Sequence, residues 1–219
     1  ITPLAITVTA TGPNKVYDGT TAETAALAST GVIAGDSVSF TDGSVAFSDK
    51  NVGNGKTVTV TGIAAGGADA GNYLYNTTAT TTADITPLAI TGSILADDKV
   101  YDALTGAVTH GTLTGVIGGD VLTYGTSGTF GDKNVANGKT VTVTGTLGGA
   151  DAGNYTLVDN ATTTADITPL AITVTATGPN KVYDGTTGET STLSSTGVLA
   201  GDSVNFGETS VAFSDKNVG

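Results

Sequence analysis

Four short blocks recur in fixed order along this chain, and that recurrence limits the folds open to it more than any other feature. ITPLAIT begins at Ile1, Ile85 and Ile167, KVYD at Lys15, Lys99 and Lys181, FxDKNV at Phe47, Phe130 and Phe213, and GADAGNY at Gly67 and Gly149. A chain with such a period folds as a row of similar small units, not around one large core. The ITPLAIT spacings of 84 and 82 residues place the units at 1–84, 85–166 and 167–219, the last matching only the first part of the others. Units of this size bury a modest core and gain stability from their neighbours. Residues 1–53 and 167–219 agree at 44 of 53 positions without a gap, while the middle unit diverges more. The pattern is therefore A-B-A, a super-repeat of 166 residues. The chain has no Met and stops at Gly219, where the first unit continues into NGKTVTV, so both ends are expected to be internal to a longer array.

Within a unit the apolar pattern has period two. Ala5-Ile6-Thr7-Val8-Thr9 and Thr57-Val58-Thr59-Val60-Thr61 alternate apolar residues with Thr, and shorter alternations appear at Ser37–Phe40 and Ser44–Phe47. β-Branched residues in alternation suit a pleated surface with one face buried. Turn residues separate these runs at Gly12-Pro13-Asn14, Ala34-Gly35-Asp36, Asp42-Gly43 and Asn54-Gly55, the last with the composition of a tight type I′ hairpin. No stretch has helical spacing with a cap. About seven short strands per unit point to an all-β fold, a tandem array of immunoglobulin-like sandwiches. A β-grasp arrangement is the alternative, disfavoured by the missing helix. Asp69-Ala70-Gly71-Asn72-Tyr73, repeated at Asp151–Tyr155, resembles a tyrosine corner, whose hydroxyl bonds back to nearby backbone.

The same blocks carry a family likeness. KVYDGTT, the GDxVxF run, FSDKNVGNGKTVTVTG, GADAGNY and the closing ADITPLAIT resemble the YDG-type repeats of bacterial surface proteins. Such repeats occur in large filamentous-haemagglutinin-like adhesins. The resemblance implies a secreted or surface-attached bacterial protein and carries over no catalytic or ligand residue. The middle unit departs from the pattern at Ala103, where the others have Gly19 and Gly185.

Composition excludes several functions. The net charge is −12 with eight Lys and no Arg, a surface that repels nucleic acid and anionic lipid. No apolar run reaches the length of a membrane span. Cysteine is absent, so no disulfide or thiolate metal site staples a unit. The lone histidine, His110, has no Cys or second His as partner and is expected at an exposed strand end. All eight Lys fall on three repeat positions, and eleven of twelve aromatics fall on four. An active site is one asymmetric constellation, whereas residues that recur in every unit build a scaffold. Tyr17, Phe40, Phe47, Tyr73, Tyr101, Tyr124, Phe130 and Tyr155 are accordingly read as structural, and the chain as no enzyme.

Two chemistries compete with that reading. Asp outnumbers Glu seventeen to three, and Asp18, Asp49, Asp69 and Asp84 recur near turns, where hard oxygen ligands suit calcium. Solvated turn aspartates are the simpler explanation, so no cofactor is expected other than calcium at those four positions. The recurring Lys15, Lys50 and Asn51 raise a Lys–Asn isopeptide bond, for which no flanking carboxylate is identifiable. Three N-x-Thr sequons, at Asn76, Asn154 and Asn160, are expected by chance in a Thr-rich chain. The expected role is a spacer whose partners are the neighbouring repeats and other copies in a fibre. Weak multivalent binding of a glycan or protein is the alternative. Because residues 167–219 lack the counterparts of Thr57–Thr86, they are expected to stay open or to be completed by strands of another copy.

Overall fold

The computed structural model describes residues 1–219. It is all-β, with short curled sheets, two single-turn 3₁₀ segments at Ala70–Asn72 and Ala152–Asn154, and no α-helix. No helix is long and apolar enough to cross a membrane. Two compact units divide the chain, and they do not coincide with the repeats. One comprises Ile1–Ile94, Gly111–Thr126 and Thr144–Asn160, and the other Leu95–His110, Ser127–Val143 and Ala161–Gly219.

The first unit is centred on a four-stranded sheet ordered Lys15–Val16, Thr78–Thr86, Gly53–Thr61, Ser44–Phe47. Lys15–Val16 runs parallel to Thr78–Thr86, with Ile85 opposite Lys15, and the other pairs are antiparallel. The alternating residues behave as their pattern dictates. Val58 and Val60 are wholly buried, and Thr57, Thr59 and Thr61 between them face out. Three two-stranded ribbons complete the first repeat: Leu4–Ala5 parallel to Tyr73–Leu74, Thr9–Thr11 with Ala26–Ala28, and Ser39–Thr41 with Ala64–Gly66. The core between them includes Val8, Tyr17, Phe47, Val58, Val60 and Ile85, and it continues without a break to Ile90 and Tyr155. Only Pro87 separates the strand Thr78–Thr86 from Leu88–Ala96, so the last strand of one repeat becomes the first of the next within a single residue.

The second unit repeats these registers. Lys99–Val100 lies parallel to Ile167–Thr168, and Ala136–Thr142 runs antiparallel to Thr162–Ile167. Phe130, Val141, Val143, Ala165 and Ile167 form its buried set. Beyond Thr168 the chain forms only the ribbon Thr175–Thr177 with Thr192–Ser194 and a bridge between Gly188 and Ala212. Without the counterparts of Gly53–Thr61 and Thr78–Thr86, nothing covers the inner face. Tyr183 is 60% exposed where Tyr17 is 1%, and Phe213 is 46% exposed where Phe47 is 3%.

One local expectation is corrected. Asn54-Gly55 is not a hairpin turn; it lies inside the strand Gly53–Thr61, where the register slips between Ala83 and Ile85 of the partner. Gly55 takes φ +60° and its N–H donates to the Asp84 carboxylate, so the extra residues form a bulge whose donor is satisfied by a side chain. Gly138 and Asp166 do the same in the second repeat. The turn between Ser44–Phe47 and Gly53–Thr61 is made by residues 48–52 instead. The YDG glycine position keeps its conformation in every repeat. Gly19 and Gly185 have φ +78° and +81°, and Ala103, their counterpart, holds φ 63°, the one non-glycine residue in the left-handed region. The conformation is thus retained where the glycine is not, at a cost in strain. Ala103→Gly is expected to raise stability by about 1 kcal/mol in urea denaturation of the full chain. An unchanged midpoint would mean the strain is absorbed elsewhere.

Candidate functional site

The KVYD block folds around its lysine. The Lys15 ammonium donates to the carbonyls of Thr20 and Ala22, pairs with Asp18 at 2.9 Å, and lies 5.7 Å from the centre of the Phe47 ring. Asp18 in turn accepts from the Thr20 N–H, which closes the turn that Gly19 makes possible. Lys99 repeats the arrangement with Asp102, the carbonyls of Leu104 and Gly106, and the Phe130 ring. Lys181 does so with Asp184 and Gly188. This loop holds the tyrosine of the block so that its hydroxyl points out of the first repeat towards the second.

The tyrosine meets a carboxylate. The Tyr17 hydroxyl donates to Asp120 Oδ2 at 2.7 Å, and the Tyr155 hydroxyl donates to the same oxygen at 2.6 Å. Lys50, from the FxDKNV block, places its ammonium 2.7 Å from Asp120 Oδ1 and 5.7 Å from the centre of the Tyr17 ring. Asp151 stands 3.8 Å from the same ammonium. Tyr17 and Tyr155 pack edge to face with ring centres 5.4 Å apart. The Asp120 side chain is 2% exposed, and both of its oxygens accept from protein donors. Beside it, Asn154 is buried, accepts from the Val52 N–H at 2.9 Å and donates to Asn51 Oδ1. The Gly19 Cα approaches closely as well, and a Cβ there would lie 2.9 Å from the Ile117 side chain.

The second unit contains the Tyr–Lys–Asp part of this constellation, without a counterpart of Tyr155 or Asn154. The Tyr101 hydroxyl donates to Asp202 at 2.8 Å, Lys133 pairs with Asp202 at 2.6 Å, and the Lys133 ammonium lies 5.7 Å from the centre of the Tyr101 ring. The repeat boundary is therefore held by one rule: Tyr and Lys from one repeat converge on the Asp of the G-D turn in the next. Hydrogen bonds from Lys50, Tyr155 and Tyr17 hold the Asp120 carboxyl at about 2. Burial and the Asp120 hydrogen bond push Tyr155 up to about 12, and Lys50 is raised by its bonds to Asp120 and Tyr17. Both partners of the ion pair are thus held charged.

Other candidates go elsewhere. Tyr73 is no tyrosine corner in the strict sense. Its hydroxyl accepts from the Ile33 N–H and donates to Asp36, nearly forty residues upstream, and Tyr155 does the same with Ile117 and Asp120. A tyrosine after the 3₁₀ turn thus pins the G-D turn, not its own corner. Phe40 is half-buried and packs edge-on to Tyr75, while the half-buried Tyr124 reaches Asp159. The four calcium candidates do not converge. Asp18 pairs with Lys15, Asp49 with Lys56, Asp69 accepts from the Ser37 N–H and Asp84 from the Gly55 N–H. No group of three acidic or histidine side chains forms a metal-sized cluster. His110 pairs with Asp97 in an exposed contact. The sequon residues Asn76 and Asn160 exchange hydrogen bonds with the backbone of Val8 and Ile94, and Asn154 is buried at the junction, so all three amides are engaged.

The site residues that sequence reasoning missed are Asp36, Asp120 and Asp202, taken only as turn residues. Their recurrence directly after a glycine in every repeat, at Gly35-Asp36, Gly119-Asp120 and Gly201-Asp202, was the available signal. A family model described as the YDG domain matches residues 2–83, 84–165 and 168–219. No curated protein and no solved structure matches the chain.

Tyr17→Phe should destabilise the full chain by about 1–3 kcal/mol in urea, because it removes a hydrogen bond to a buried charge. The folded pKa of Asp120 lies below its unfolded value near 4. Its contribution is therefore complete above pH ~4 and lost as pH falls towards about 2. In acid titrations followed by denaturation, Asp120→Asn should flatten that segment of the stability profile.

Proposed function

We propose, from the premise that the chain belongs to the YDG domain family, that it is a structural spacer in a bacterial adhesin or extracellular fibre. On this reading each repeat is an immunoglobulin-like sandwich, and the array's task is to hold distance, not to turn over a substrate. The observation that carries it is the carboxylate junction, formed with the same residue types at both repeat boundaries. A catalytic or recognition role has no need of a site repeated at each boundary and consumed in joining neighbours. The passage of strand Thr78–Thr86 into Leu88–Ala96 across Pro87 supports the same conclusion, since proline fixes φ and leaves no flexible linker. Glycan recognition would call for exposed aromatics on closed repeats. In the first repeat Tyr17, Phe47 and Tyr73 are buried instead.

The secreted or surface location rests on the company such repeats keep. Calcium stiffening gains no support from the dispersal of Asp18, Asp49, Asp69 and Asp84 onto separate turns.

The full chain should bind nothing on glycan and matrix-protein arrays. Pulled between its termini, it should resist extension, and Asp120→Ala should lower the unfolding force. Saturable binding of an array ligand, with mechanical resistance unchanged by Asp120→Ala, would replace the spacer with an adhesion module.

A further inference from the structure

The residue that follows Tyr-Asp in the KVYD block meets the next repeat. Gly19 takes φ +78°, and a Cβ built on it would lie 2.9 Å from Ile117 Cγ2 and 3.9 Å from Ile117 Cβ. Two carbons pack at about 3.5–4.0 Å, so the nearer approach is a clash. The Cγ2 methyl belongs to a β-branched side chain with little freedom at χ1, and Ile117 is half-buried against the core. Its backbone is fixed as well, because its N–H donates to Tyr155 and its carbonyl accepts from the Asp120 N–H. Neither methyl nor backbone is free to move aside, and the first boundary is shaped for glycine.

The second boundary carries a different pair. Ala103 stands where Gly19 does and holds the same left-handed conformation at φ 63°, so the methyl that Gly19 lacks is present. The residue on the other side has changed too. Leu199 lies three residues before Asp202, as Ile117 lies three before Asp120. The two frames correspond bond for bond. The Tyr101 N–H donates to Thr168 as Tyr17 does to Thr86, and the Asp202 N–H donates to Leu199 as Asp120 does to Ile117. The Tyr101 hydroxyl donates to Asp202 as that of Tyr17 does to Asp120. Leucine branches at Cγ and not at Cβ, so Leu199 lacks the methyl that an alanine would strike. The first and third repeats agree at 44 of 53 positions, and this is one at which they differ, Ile33 against Leu199.

We infer that this pair decides which repeat can follow which. A repeat with alanine after Tyr-Asp takes only a follower with leucine three residues before its junction aspartate, whereas a repeat with glycine takes isoleucine or leucine. The selection works by exclusion, since alanine against isoleucine forces two carbons together. The Tyr, Lys and Asp contacts are common to both boundaries and do not discriminate. The shared cluster joins the repeats, and the Gly19–Ile117 and Ala103–Leu199 pairs set their order. The rule goes beyond the spacer role and rests on the boundary itself.

The test is a pair of double-substitution cycles on the full 219-residue chain, read by urea denaturation. Gly19→Ala should lower the midpoint. Ile117→Leu in the same chain should recover much of the loss, with a coupling of about fivefold or more in the folding equilibrium. Ile117→Leu alone should have the smaller effect. At the second boundary Leu199→Ile should lower the midpoint. Ala103→Gly added to it should then raise the midpoint by more than Ala103→Gly raises that of the wild type. Backbone strain at a left-handed residue is not relieved by a change in the neighbouring repeat, so recovery separates the contact across the boundary from the cost of the conformation. Additive effects in either cycle overturn the inference and leave strain within the KVYD turn as the whole penalty.

Discussion

The structure depends on a carboxylate taken out of water. Asp120 is nearly inaccessible, and a buried charge is tolerated only when it is paired and hydrogen-bonded. Two phenols and an ammonium meet that demand, and they come from three separate blocks of sequence in two repeats. The G-D turn, the 3₁₀ turn before Tyr155, the loop that presents Tyr17 and the loop that presents Lys50 all serve one carboxyl group. Loss of any donor leaves the charge short of a partner, which makes the contact specific. Apolar burial around Ile85, Ile90 and Tyr155 supplies the area, and the polar cluster selects the register.

The signature blocks follow from this requirement. In KVYDG the lysine gathers backbone carbonyls and lies against a phenylalanine, the aspartate caps the turn, and the glycine makes a left-handed step against Ile117. The tyrosine is thereby held at a fixed angle. In FSDKNVGNGK, Asp49 pairs with Lys56 and accepts from the Asn51 N–H, so that Lys50 is left to cross the boundary. Of two lysines six residues apart, one secures its own loop and the other joins the next repeat. Stability within a repeat and cohesion between repeats therefore draw on neighbouring residues of the same blocks, which accounts for the compact units ignoring the repeat boundaries.

The third repeat shows how much the late strands contribute. Val182, Tyr183 and Phe213 keep the identities of Val16, Tyr17 and Phe47 and yet lie open. Burial of these residues is conferred by Gly53–Thr61 and Thr78–Thr86, far along the chain, and not by their own segment. Contacts between residues so distant in sequence are typical of β-sheet proteins, whose cores form only when remote strands pair.

Much of this protein was legible in its residues alone. Period-two alternation of Thr with Val or Ile specifies strands with one buried face, so the all-β class and the burial of Val58 and Val60 could be read directly. The recurring Lys and aromatic positions could be read as well, and Lys15, Lys50, Tyr17 and Phe47 among them make loop and junction contacts. Partner identity could not be read in this way. Asp36, Asp120 and Asp202 carry the same label in the sequence, a turn aspartate after glycine, and that label does not say that Tyr17 and Lys50 reach Asp120 across a repeat boundary. Asn54-Gly55 has hairpin composition and forms a bulge, because the Asp84 side chain from the adjacent strand takes up the Gly55 N–H. Local pattern determines which face of a strand is buried, since that depends on neighbours one and two residues away. Which carboxylate becomes a junction depends on groups 70 and 103 residues distant, and only the tertiary structure brings those together.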